Sequence, residues 1–195
     1  MDIATPQFWL ITGAVLVLAV LLIVLAVRGW RRRRQARVID ERLDALAAER
    51  LHGVVVPDGN GGEIELEHLL LTAAGVFVVD VKRIEGRIFG SDRMDAWTAI
   101  TAQGRHSFAN PQGPLLDRVA AVRRLLHDVP VDGRVLFAGD AQFGEHPPSF
   151  VLGFDAFEAW MRAQAADTSP SEPYVVAWQT LLQVSVAAGG ARRDR

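Results

Sequence analysis

From Phe8 to Val27 the chain carries twenty residues without a charge, FWLITGAVLVLAVLLIVLAV, and beyond them its apolar positions fall into short periodic runs. At about 1.5 Å per residue the uncharged run makes roughly 30 Å of helix, the thickness of a bilayer's hydrocarbon core. It is followed by RGWRRRRQAR, six arginines between Arg28 and Arg37, whereas Asp2 is the one charged side chain before it. That asymmetry predicts a single-pass anchor in a cell membrane. A short tail (1–7) lies outside, the helix (8–27) spans the bilayer, and an arginine-rich segment (28–37) lies on the cytoplasmic side. Trp9 and Trp30 fall at the two interfaces, with Arg28, Arg31, Arg32, Arg33 and Arg34 at the lipid headgroups.

The periodicities that follow predict a separate domain over 38–166, then a linker, a last helix and a charged tail over 167–195. Ile39, Leu43, Leu46, Ala47 and Leu51 recur at helical spacing, which predicts a helix over 38–51. A short strand over 54–57 and a turn at DGNGG (58–62) come next. Two strands, 63–72 and 76–83, are joined by a turn ending at Gly75. GRIFG (86–90) and the Trp97 region suggest more sheet. An amphipathic helix is expected over 114–128, with Pro114 at its start. Apolar strands are expected at 134–138 and 150–153, and a helix over 155–166 with Asp155 as N-cap and Glu158 closing a capping box. A final helix is expected over 174–188. The order describes an α/β sandwich.

Charge narrows the chemistry. The whole chain is at −2, but residues 38–195 hold 15 basic against 22 acidic side chains, a net −7. So acidic a domain is not a general phosphate-binding surface, and contact with nucleic acid needs a local cleft in which metal ions offset carboxylates. The absence of cysteine excludes disulfide modules and thiolate metal sites.

Twenty arginines accompany a single lysine, Lys82, in VFVVDVKRIEG. Lysine is a compact point charge where arginine is a wide fork, so the two are not interchangeable beside a metal-bound water. On a strand Asp80 and Lys82 share a face, leaving Val79 and Val81 for the core. The preceding strand, EIELEHLLL, offers Glu63, Glu65 and Glu67 as a second acid. One hairpin register sets Glu67 opposite Asp80; a register one residue different sets His68 there, and the sequence leaves both open. Carboxylate oxygens suit Mg²⁺ or Mn²⁺, and a nearby lysine can orient a bound water or stabilise developing negative charge.

The run LEHLLLTAAGVFVVDVKRIEGRIFG resembles the core of the NERD (nuclease-related) domain, of the PD-(D/E)xK nuclease-like superfamily. Leu66-Glu67-His68, Gly75 to Lys82 and Gly86 carry the likeness, and Glu41, Trp97 and Asn110-Pro111 fall where that family has matching residues. The resemblance implies a restriction-endonuclease-like α/β sandwich with a mixed central sheet. It implies Glu67 and Asp80 as metal ligands, Lys82 as the catalytic amine, Glu41 as a supporting acid and His68 as a site-lining residue. The chain departs from the pattern in having Glu67 where Asp is usual and Asp40 where glycine precedes the helix glutamate. Gln112 also stands too early after Asn110-Pro111, with Pro114 in the glutamine's place.

Two functions are compatible with this reading. One is a membrane-anchored, Mg²⁺- or Mn²⁺-dependent nuclease acting on DNA or RNA. The other is a catalytically silent, membrane-anchored interaction or regulatory domain that keeps the nuclease-like fold and binds protein partners.

Overall fold

The computed structural model describes residues 6–144, 147–164 and 169–187, apart from the side chains of 6–15, 31–33 and 186–187. The chain divides into two compact units, Met1–Arg42 and Leu43–Arg195.

The first unit is the larger part of one 39-residue helix, α1 (Pro6–Asp44). From Leu16 to Val27 its large apolar side chains are exposed, and Trp30 is exposed with the Arg34 guanidinium 5.6 Å from its ring centre. Among the described residues no helix is long and apolar enough to cross a membrane, so the span expected over 8–27 is not shown. Trp9, Arg31, Arg32 and Arg33 lie outside the described side chains.

The second unit runs β1 (Glu49–Pro57), β2 (Glu63–Thr72), β3 (Gly75–Lys82), β4 (Gly86–Phe89), β5 (Ala96–Thr101), β6 (Gly104–Ala109), α2 (Gln112–Leu125), β7 (Val131–Phe137), β8 (Ala141–Phe143), β9 (Val151–Gly153), α3 (Phe154–Gln164), α4 (Glu172–Val184) and β10 (Val186–Ala187). Six strands form a mixed sheet in the order β10-β1-β2-β3-β7-β9. It is antiparallel from β10 to β3, and parallel from β3 through β7 to β9. A second sheet, β6-β5-β4-β8, packs Trp97, Phe108 and Phe143 around Phe137 at the end of β7.

The central strand β3 is buried along both faces. Val76 and Val78 join Leu115, Val119 and Val122 of α2 in the main core, while Phe77 meets Trp160 of α3 edge-on. A face reserved for Asp80 and Lys82 is therefore no solvent face, because α2 covers it. That coverage explains why an apolar run with little alternation forms a strand here. The α/β architecture with helices on both faces of a mixed sheet agrees with the fold expected from the sequence.

Several boundaries differ from the sequence reading. The first helix ends at Asp44, and Glu49–Leu51 pair with Leu71–Leu69 in β1, so sheet pairing overrides a helical spacing. Helix α2 starts two residues before Pro114, and α3 starts at Phe154, which places Asp155 inside its first turn. The last helix stops at Val184 and gives way to β10.

Candidate active site

The β2–β3 hairpin turns through Ala73 and Ala74. The Thr72 hydroxyl donates to the Gly75 carbonyl at 2.9 Å and accepts from the Ala74 amide at 3.2 Å. Gly75 has φ 126°, and a Cβ there would lie 2.3 Å from the Pro130 carbonyl oxygen, so only glycine fits. This turn fixes the pairing Thr72↔Gly75, Leu71↔Val76, Leu70↔Phe77, Leu69↔Val78 and His68↔Val79. The next step sets Glu67 opposite Asp80, which decides between the two registers the sequence leaves open. His68 faces the other side of the sheet.

Pairing stops at His68↔Val79 although both strands continue. Beyond that point the Val81 amide donates to Glu67 Oε2 at 2.9 Å. A carboxylate has thus taken the place of a ladder carbonyl between the strands.

Asp80 lies beneath α2 and is 2% exposed. Arg118 Nη1 donates to its Oδ2 at 2.9 Å, and Arg118 Nε donates to the Glu65 carbonyl at 2.7 Å. The other carboxylate oxygen, Oδ1, is buried and has no hydrogen-bond partner. Burial pushes the Asp80 carboxyl above its ordinary value, against the opposing pull of the Arg118 and Lys82 charges. Lys82 is half-buried at the end of β3, next to Phe137 across the parallel pair. Among the described residues no hydrogen bond or ion pair engages its ammonium.

The hairpin thus brings Glu67, Asp80 and Lys82 to one end of the sheet. His68 sits behind them, 2% exposed, with Nε2 4.0 Å from Glu67 Oε1. Glu41 is exposed on α1, in the first unit. Gln112 is buried and structural: its Oε1 accepts from the Phe150 amide at 3.1 Å, and its backbone N–H donates to Asn110 Oδ1 at 3.0 Å.

Arg118 is the residue that sequence reasoning missed. It lies three residues after Leu115 and four before Val122, both buried, so it flanks the apolar stripe of α2. That position was the available signal. A charge beside such a stripe ordinarily reads as solvated.

An unpartnered buried carboxylate oxygen and a second carboxylate fit a small hard divalent cation. No third His, Asp or Glu joins Glu67 and Asp80 in a ligand cluster among the described residues. Such an ion would keep several waters or take phosphate oxygens.

The family profile described as "Nuclease-related domain" (NERD) matches residues 28–138, more than half the chain. An uncharacterised protein of Bacillus anthracis is 29% identical over 100 residues, 50% of this chain and 47% of that protein. The chain therefore spans about half the length of that relative. No solved structure matches.

Proposed function

We propose, for a chain that belongs to the nuclease-related domain (NERD) family, that the Glu67–Asp80–Lys82 end of the β2–β3 hairpin is a divalent-metal phosphodiesterase site. One observation carries the reading: Asp80 Oδ1 is buried with no partner, in a strand end that also presents Glu67 and Lys82. A native fold rarely leaves such an oxygen unsatisfied unless something binds it.

Asp80 and Glu67 would hold Mg²⁺ or Mn²⁺, which when bound supplies an acidified water and screening of the phosphate's charge. Lys82 is placed to orient that water or to stabilise negative charge developing on the phosphate. The Val81 amide fixes Glu67 through one of its two oxygens. Arg118 holds the Asp80 carboxylate in place while α2 keeps bulk water from it. The substrate is DNA or RNA, admitted locally despite the net negative charge of the domain.

The Arg118–Asp80 pair also favours a second reading. A guanidinium already neutralises half of the key carboxylate, as expected of a silent domain that keeps the fold to bind protein partners. Thermal unfolding of the purified full chain separates the two. Under the nuclease reading, Mn²⁺ at ten times its dissociation constant stabilises the fold by about 1.4 kcal/mol, and Asp80→Ala abolishes the shift. A wild-type melting curve indifferent to millimolar Mn²⁺ and Mg²⁺ would favour the silent domain.

The same reading anchors the domain to the cytoplasmic face of a cell membrane through 8–27, with Arg28 and its neighbours on anionic headgroups. Support comes from the uncharged run itself and from the exposed apolar side chains between Leu16 and Val27. A carboxyl-terminal reporter active only outside the cytoplasm stays dark under this topology; a bright one refutes it.

A further inference from the structure

We propose that Arg50 and His68 form a relay that positions the Glu67 carboxylate from the far side of the sheet. On β1, Arg50 and His52 alternate onto one face, and His52 stands directly across from His68 on β2. The two imidazoles lie 4.7 Å apart, centre to centre. Arg50 is held at its far end by Asp44, with Nε donating to Oδ1 at 2.6 Å and Nη2 to Oδ2 at 3.2 Å. Its remaining nitrogen, Nη1, lies 3.1 Å from His68 Nδ1.

A guanidinium only donates, so in this contact His68 Nδ1 is the acceptor and Nε2 is the nitrogen that carries the ring N–H. That nitrogen lies 4.0 Å from Glu67 Oε1, an electrostatic contact longer than a hydrogen bond. Glu67 Oε2 is already committed to the Val81 amide. Glu67 thus accepts a backbone N–H through one oxygen and has the imidazole within electrostatic reach of the other. The imidazole's orientation is in turn set by an arginine clamped to Asp44. A histidine buried only as core filler has no need of this chain of partners.

His68 and Arg50 touch neither substrate nor metal in this scheme, so both are positioning residues. Their meaning for catalysis rests on the phosphodiesterase reading above; the clamp on Glu67 does not. The test therefore has one readout that needs no metal. In the full chain under chelation, His68→Leu should speed hydrogen exchange of the Val81 amide about tenfold or more and leave the Val76 amide unchanged. His68→Gln, whose side-chain amide can reproduce the Nε2 donor, should restore most of the protection. The second readout is the Mn²⁺ concentration at half-maximal thermal shift. His68→Leu should raise it about 10- to 100-fold, the usual cost of losing a group that orients a ligand. In a Glu67→Ala background the same change should add nothing.

Unchanged Val81 exchange in His68→Leu, or no recovery with Gln, overturns the relay. Loss of Val81 protection in a protein whose wild type ignores Mn²⁺ supports the clamp and overturns the phosphodiesterase reading instead.

Discussion

Arg118→Met keeps a long side chain but removes the charge held against Asp80, together with the hydrogen bond to the Glu65 carbonyl. Asp80 is 2% exposed and Arg118 makes its one hydrogen bond, at 2.9 Å. Stranding one member of a buried pair costs about 3–5 kcal/mol. Asp80 can evade part of that by taking up a proton, at about 1.4 kcal/mol per pKa unit. We therefore expect a loss of about 2–4 kcal/mol at neutral pH, measured by urea unfolding with chelator present. The sign of the pH dependence follows from Asp80's raised value. Its contribution to stability is complete below the ordinary 3.8 and is lost as pH rises through the folded-state value. Without Arg118 that value rises further, so the loss is larger and continues to higher pH. The gap between Arg118→Met and wild type is then widest at neutral pH. It closes on acidification to about 1 kcal/mol, the worth of a neutral hydrogen bond. In an Asp80→Asn background the pH dependence of the gap should vanish. A cost below about 0.5 kcal/mol at neutral pH, the size of an ordinary surface change, would refute the reasoning. So would a gap that is the same in acid.

Two further predictions follow from packing and from the turn before β2. A Cβ at Gly133 would lie 2.5 Å from Val119 Cγ2 and 3.2 Å from Leu115 Cδ1, so Gly133→Ala should push α2 outward and cost about 1–3 kcal/mol of unfolding free energy. An unchanged or raised urea midpoint would contradict the close fit. Asp58 Oδ1 accepts from the Asn60 and Gly62 amides at 2.7 and 2.9 Å, which holds its carboxyl below the ordinary 3.8. The stability it contributes is present above 3.8 and is lost as pH falls through the depressed value. Asp58→Ala should therefore lower the melting temperature at neutral pH, by an amount that fades in strong acid; a pH-independent difference would sink this account of the turn.

The placement of the candidate site's strand residues is legible in the sequence because strands carry their chemistry at fixed spacing. The two-residue step from Asp80 to Lys82 and the apolar run around them needed no tertiary information. The hairpin register did, since it turned on whether Thr72 and Gly75 pair, and that depends on the Gly75 backbone passing close to Pro130 in another part of the chain. Arg118 was hidden for a similar reason. Its position on α2 is ordinary until β3 is known to run beneath it with a carboxylate turned upward. The helix over 38–51 ran too far because Leu46, Ala47 and Leu51 keep helical spacing while Glu49–Leu51 are taken by β2. Local pattern cannot weigh that competition. One of the two hairpin registers and the family resemblance pair Glu67 with Asp80, but the break in the ladder that lets Glu67 bind the Val81 amide has no sequence signature.

The most direct measurement is strand cleavage by the purified full chain with Mn²⁺ or Mg²⁺, on single- and double-stranded DNA and on RNA. Asp80→Ala and Lys82→Arg proteins, prepared identically, exclude a contaminating nuclease. The account predicts metal-dependent cleavage by wild type, abolished in Asp80→Ala and strongly reduced in Lys82→Arg. Equal cleavage by all three proteins, or none by a folded wild type that also binds no metal, would contradict it.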